Sequence, residues 1–161
     1  MTSSNPTIRH LFLAQAKGTP MLPVEEAIAV EQRGLAGDRH AKRAAGGKRQ
    51  VLLMDAASHD ALGLPPGTLK ENIVVEGVPI EALPPGQRLA LGSEVIVEIT
   101  MICVPCQKLN AIRPGLLKAS WGNRGMLARV LKGGRMRVGD AVTLLDVNPD
   151  APRPIKPKLP G

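Results

Sequence analysis

Short apolar runs interrupted by glycine and proline recur along this chain, and several of them alternate apolar and polar residues with a period of two. The clearest is Glu94-Val-Ile-Val-Glu-Ile-Thr100, where Val95, Val97 and Ile99 fall on one face of a pleated strand. The same reading predicts strands near Thr7–Leu13, Ala27–Val30, Gln50–Met54, Asn72–Val75, Arg88–Leu91 and Ala141–Leu145. Helical signals are fewer. Asp55 is placed to cap a helix over Ala56–Leu62, which Gly63 and the turn Pro65-Pro66-Gly67 would stop. A second short helix is predicted from Pro105 or Cys106 through Ile112, and a third over Gly125–Leu131 with Gly133-Gly134 as its stop. Seven short strands, scattered helices and no regular alternation of strand and helix argue for a mainly β, barrel-like domain.

Length and composition narrow this picture. The 161 residues suffice for one core, expected over 1–146, and the Pro- and Lys-rich stretch 147–161 reads as a flexible tail. Aromatic content is 1%, with Phe12, Trp121 and no tyrosine, so the core must be aliphatic and base stacking has almost nothing to use. The net charge is +7, but the basic residues are concentrated in particular segments, a pattern that fits a local anion site better than a broad nucleic-acid surface. No run approaches a membrane span and no signal peptide is visible, so the chain reads as cytoplasmic, where thiols stay reduced.

The candidate chemistry centres on Cys106, in Ile102-Cys103-Val104-Pro105-Cys106-Gln107-Lys108. From Lys108 to Arg137 there are eight Lys or Arg residues and no Asp or Glu. Positive charge favours the thiolate, the nucleophilic and metal-binding form. A helix starting at Cys106 would add to that effect. The plain alternative is a small core cysteine. Cys103 completes a Cys-x-x-Cys pair, which admits a dithiol redox role, although no long helix follows as it would in a thioredoxin-like protein. A zinc site would need two more ligands, and His10, His40 and His59 show no paired spacing.

Three further segments carry candidate binding residues. Gly34-Leu-Ala-Gly37-Asp38-Arg39-His40 opens a stretch that includes Lys42, Arg43, Lys48 and Arg49, where glycine backbone and basic side chains suit an anion. Asp38 can equally cap a turn, and the whole run can be a solvated loop. Asn72, after Glu71, can donate to a ligand or bond its own backbone. Asn123-Arg124-Gly125, ahead of the third predicted helix, offers another anion contact, with Arg124 the principal candidate.

Together these landmarks resemble the MOSC domain, named after the C-terminal part of molybdenum-cofactor sulfurase. The matching elements are Gly34–His40, Glu71-Asn72-Ile73 with Glu76-Gly77, Val104-Pro105-Cys106, Gly122–Val130 and Arg137–Asp140. Their order and spacing carry the likeness, over roughly Ile8 to Leu145. The resemblance implies a β-barrel-like fold with Cys106 as reactive centre and one of two activities. One is carriage of sulfur, as a cysteine persulfide, to a metal–sulfur centre, supplied by a cysteine desulfurase or other donor. The other is binding of the pterin molybdenum cofactor, with Cys106 on molybdenum, and reduction of N-hydroxylated substrates. The cofactor-binding residues would then be Gly37, Asp38, Arg39, His40, Arg43, Asn72, Asn123 and Arg124, with the basic ones among them on its phosphate. A basic, non-enzymatic module for nucleic acid or an acidic partner is the reading from another class.

Overall fold

A computed structural model describes residues 5–152. The described residues form eleven strands: β1 (Thr7–Leu13), β2 (Leu22–Val24), β3 (Glu26–Val30), β4 (Gly34–Leu35), β5 (Val51–Asp55), β6 (Ile73–Glu76), β7 (Gln87–Leu91), β8 (Val95–Ile102), β9 (Met126–Lys132), β10 (Gly134–Arg137) and β11 (Val142–Val147). Three short helices, α1 (Ala56–Leu62), α2 (Leu109–Ile112) and α3 (Leu116–Ala119), lie between them. Eight strands make one curled sheet in the order β11-β7-β8-β9-β5-β6-β1-β2, and β10-β3-β4 make a second. The mainly β, half-barrel architecture is the one the alternating pattern predicts.

The aliphatic core lies inside this curl. Val95, Val97 and Ile99 of β8 all point into it, with Leu53, Ile73 and Leu89 from neighbouring strands. A smaller cluster on the other side of β5 packs Met54, Leu62, Leu69, Leu109 and Leu116, and so seats the three helices. Asp55 caps α1 by accepting the Ala57 N–H at 3.0 Å, and Gly63 ends it in a left-handed conformation, both as expected. Arg113 Nη1 donates to the Leu62 carbonyl at 2.7 Å and ties the loop after α2 to the end of α1.

One helical expectation fails and another holds only at its end, Ile112. Gly125–Leu131 is not a helix: Met126–Lys132 is the strand β9, paired antiparallel with both β5 and β8. An apolar run buried on both faces has no diagnostic period, so its partners decide its conformation. Gly125 is required at its entrance, where φ is +100° and a Cβ would stand 2.5 Å from the Leu53 carbonyl oxygen. The helix predicted from Pro105 or Cys106 begins only at Leu109. The four residues Cys103–Cys106 have no regular secondary structure.

Past β11, Asn148 donates its N–H to the Gly86 carbonyl at 2.8 Å, so the chain leaves the domain against the β7 turn. Most of the predicted tail, 153–161, lies outside the described residues.

Candidate functional site

The loop between β4 and β5 carries a run of basic residues around a cleft of about 190 Å³. Arg33, His40, Arg43, Lys48 and Arg49 line it with Gln50, and no carboxylate is among the lining residues. The sequence offers no apolar anchor over 42–49, so backbone bonds and one buried amide hold the loop. Gln50 Nε2 donates to the Gly47 carbonyl at 2.7 Å while its Oε1 accepts the Val130 N–H at 2.9 Å. Arg33 Nη1 donates to the Arg43 carbonyl at 3.1 Å. Thr100 Oγ1 lies 2.5 Å from the Lys48 carbonyl, fixing the loop's far end to β8.

Asp38 is the keystone beneath this loop. Its carboxylate is buried and accepts four contacts: Ala14 N–H at 2.8 Å, His40 N–H at 2.9 Å, His40 Nδ1 at 2.7 Å and Asn72 Nδ2 at 2.8 Å. Burial alone would raise its pKa. The bonds from the His40 ring and the Ala14 and His40 amides outweigh that and hold the carboxyl below its ordinary value. Asn72, also buried, donates to the Phe12 carbonyl at 3.1 Å and accepts the Leu52 N–H at 3.0 Å. The polar atoms of Asp38 and Asn72 are thus committed within the protein, where they lock β1, β5 and β6 to the loop. With its Nδ1 held by Asp38, the half-buried His40 is one of the residues that line the cleft. Gly37, with φ of +87°, makes the turn that leads into Asp38. Arg39, half-buried, bonds through its N–H to Ala14 and is not among the cleft-lining residues.

The thiols sit at the end of β8. Cys106 is exposed, while Cys103 is half-buried and anchored by its N–H to the Gly125 carbonyl at 3.0 Å. Burial pushes the Cys103 thiol up, and the nearby charges of Arg124 and Arg49 oppose that rise. Arg49 also lines the basic cleft. Arg124 is half-buried, and its Nη1, fully shielded from solvent, has no hydrogen-bond partner among the described residues. A shielded guanidinium nitrogen without an acceptor costs free energy unless a ligand supplies one. Because β9 replaces the predicted helix, Asn123 and Arg124 precede a strand, and no helix start assists them. Nor does one assist Cys106, since α2 begins three residues later.

The family follows from this arrangement taken together with the sequence match: residues 40–143 match the family model of the MOSC domain. The chain belongs to the MOSC domain family. Its fold is similar to the crystal structure of the YuaD protein from Bacillus subtilis, with a TM-score of 0.69, 20% identity, and 86% of this chain and 94% of that one covered. YiiM from Geobacillus stearothermophilus is similar with a TM-score of 0.68 at 19% identity, over 88% of this chain and 75% of that one. For YiiM from Escherichia coli the TM-score is 0.64 at 18% identity, over 89% and 72%. No curated protein sequence matches this chain.

Sequence reasoning missed Arg33, which enters the cleft only because β3 and β4 form a hairpin beside the loop. It also missed the fully buried pairing of His59 Nε2 with Glu71 Oε2, twelve positions apart and without any spacing signal. No group of three or more His, Cys, Asp or Glu side chains gathers as a metal site among the described residues. No helix there is long and apolar enough to cross a membrane.

Proposed function

We propose that this MOSC module binds the pterin molybdenum cofactor at the basic cleft, with Cys106 as the protein's thiolate ligand. The observation that carries the reading is the cleft lined by Arg33, Arg43, Lys48 and Arg49 with no carboxylate among its lining residues, Arg49 and Arg124 both lying near enough for their charge to act on the Cys103 thiol. That donor set fits an anionic, phosphate-bearing group, and a thiolate is a soft ligand suited to molybdenum. When bound, the cofactor supplies the redox chemistry by which N-hydroxylated substrates would be reduced.

The chain's own residues do the rest. Arg43, Lys48 and Arg49 neutralise the phosphate from the exposed side of the loop. Arg124, whose shielded Nη1 has no partner among the described residues, would add a desolvated donor, where a charge-assisted bond is worth most. Asp38 holds the His40 ring through Nδ1 and so fixes a side chain that lines the cleft. Gly125 lets the chain pass tightly over β5 and so sets where Arg124 enters.

The test is to produce the protein in a host that makes the cofactor and to measure molybdenum and pterin per chain, in wild type and Cys106→Ser. Near-stoichiometric metal that the substitution removes supports a resident cofactor. Metal absent from both proteins overturns it. One observation favours sulfur carriage as the second reading: Cys106 is exposed, as a thiol must be to receive sulfur from a partner protein such as a cysteine desulfurase. Persulfide on Cys106 after incubation with a sulfur donor, without retained metal, would establish that alternative.

A further inference from the structure

We propose that a second cavity, on the face of β1 and β6 that turns away from the aliphatic core, binds a small organic cation: an ammonium or guanidinium group on a short apolar chain. The cavity measures about 220 Å³ and is lined from α1, β1 and β6 and from the turn after α1. It shares no lining residue with the basic cleft, so the inference stands apart from the function proposed above. The strand pattern shapes it. Ile73 and Val75 of β6 enter the core, which turns Val74 and Glu76 outward, and His10 of β1 pairs with Val74 in the antiparallel register. The volume lies below the roughly 300–1,000 Å³ of pockets for drug-sized molecules, so the ligand is small.

The lining charges select a cation. Asp55, Asp60 and Glu76 stand against one guanidinium, Arg9, which is committed to Glu76 at 3.0 Å. Asp55 uses Oδ1 to cap α1, and neither Asp55 nor Asp60 has a cationic partner among the described residues. Burial, and then the Arg9 charge, hold the His10 pKa below 6.5, so its ring is mainly uncharged at neutral pH and does not offset the carboxylates.

His59 supplies the independent sign of a ligand. Its side chain is 3% exposed and lines the same cavity. Nε2 meets Oε2 of the wholly buried Glu71, while Nδ1 has no hydrogen-bond partner among the described residues. A carboxylate against Nε2 places the ring proton there, which leaves Nδ1 as the acceptor of the neutral imidazole. A buried acceptor without a donor costs free energy that an N–H from a ligand recovers. Leu64, Pro66 and Val74 give the cavity an apolar wall, and no three His, Cys, Asp or Glu side chains gather to hold a metal ion among the described residues. An organic cation meets both conditions: its N–H groups bond Asp55, Asp60 and Nδ1 of His59, and its carbon chain lies on the wall.

The experiment titrates the full, nitrogen-labelled chain with n-butylammonium chloride and, separately, with n-butanol, a neutral molecule of the same shape, at equal ionic strength, and follows the NMR spectrum. The amine alone should give saturable amide shifts confined to residues around the cavity, together with a shift of the His59 Nδ1 signal. Asp60→Asn, at an exposed position with no ion pair to lose, should keep the wild-type spectrum and weaken amine binding about threefold. An equal response to butanol, no saturable response to the amine, or amine binding that leaves His59 Nδ1 unmoved overturns the proposal. So does an Asp60→Asn variant that binds the amine as tightly as wild type. None of these measurements involves the basic cleft, so failure here leaves the function proposed above untouched.

Discussion

Exchanging Asp38 for Asn swaps one carboxylate oxygen for an NH2 group at nearly constant volume, at the residue that ties the basic loop to the sheet. In wild type one oxygen accepts from Ala14 N–H and Asn72 Nδ2, and the other from His40 N–H and Nδ1. The better orientation of an amide keeps its oxygen on Ala14 and Asn72. Its NH2 then faces the His40 ring, which can turn acceptor, and the His40 N–H, which cannot. At least one charge-assisted bond is lost and one donor is left without a partner at a site 1% exposed. A bond to a charged group contributes roughly 1.5–3 kcal/mol and a stranded buried donor costs about 1–3 kcal/mol, so Asp38→Asn should lose about 2.5–6 kcal/mol. Against a typical total of about 5–15 kcal/mol, that is easily measured by urea unfolding at neutral pH.

The pH dependence provides a second check on the same reasoning. Because the folded carboxyl lies below its ordinary value of 3.8, its stabilisation is complete above that value and is lost as pH falls through the lowered folded value. The gap between wild type and Asp38→Asn should therefore hold from neutral pH down to about that value and narrow only in stronger acid. A loss under about 1 kcal/mol, or a gap that does not change in strong acid, would refute the assignment of Asp38 as an ionised keystone.

Glu98 is buried between Arg88 at 3.1 Å and Arg129 at 2.8 Å, so Glu98→Ala should cost about 1.5–3 kcal/mol in chemical denaturation by removing their shared acceptor, while Arg88 keeps its pair with Asp146 at 2.8 Å. Gly125→Ala should destabilise far more than Gly115→Ala, which meets nothing within 4 Å although both glycines have positive φ; thermal unfolding compares them directly. Burial, and then the Arg9 charge, hold the His10 pKa below 6.5, so folding should weaken as pH falls through 6.5 toward the folded value. His10→Gln should remove that part of the acid sensitivity in urea titrations. Arg124→Met and Arg49→Met should each weaken phosphate binding about tenfold and flatten its salt dependence, read by calorimetry at two ionic strengths.

The amphipathic pattern by itself determined a mainly β domain, the inward face of β8 and the capped helix α1, because each depends on neighbours within a few residues. It also drew attention to Cys106, Arg43 and Arg124 through residue type and local charge. Tertiary structure decided everything that depends on partners distant in sequence. Met126–Lys132 became a strand because β5 and β8 offered it hydrogen bonds on both edges, which no local propensity records. Asp38 and Asn72 read equally well as ligands or turn residues until packing placed them in one another's reach, thirty-four positions apart, and committed their polar atoms to the frame. Arg33 joined the cleft, and Arg49 came within range of Cys103, only once the strands between them had curled, since charge and hydrogen bonding act through space and the sequence orders residues along a line.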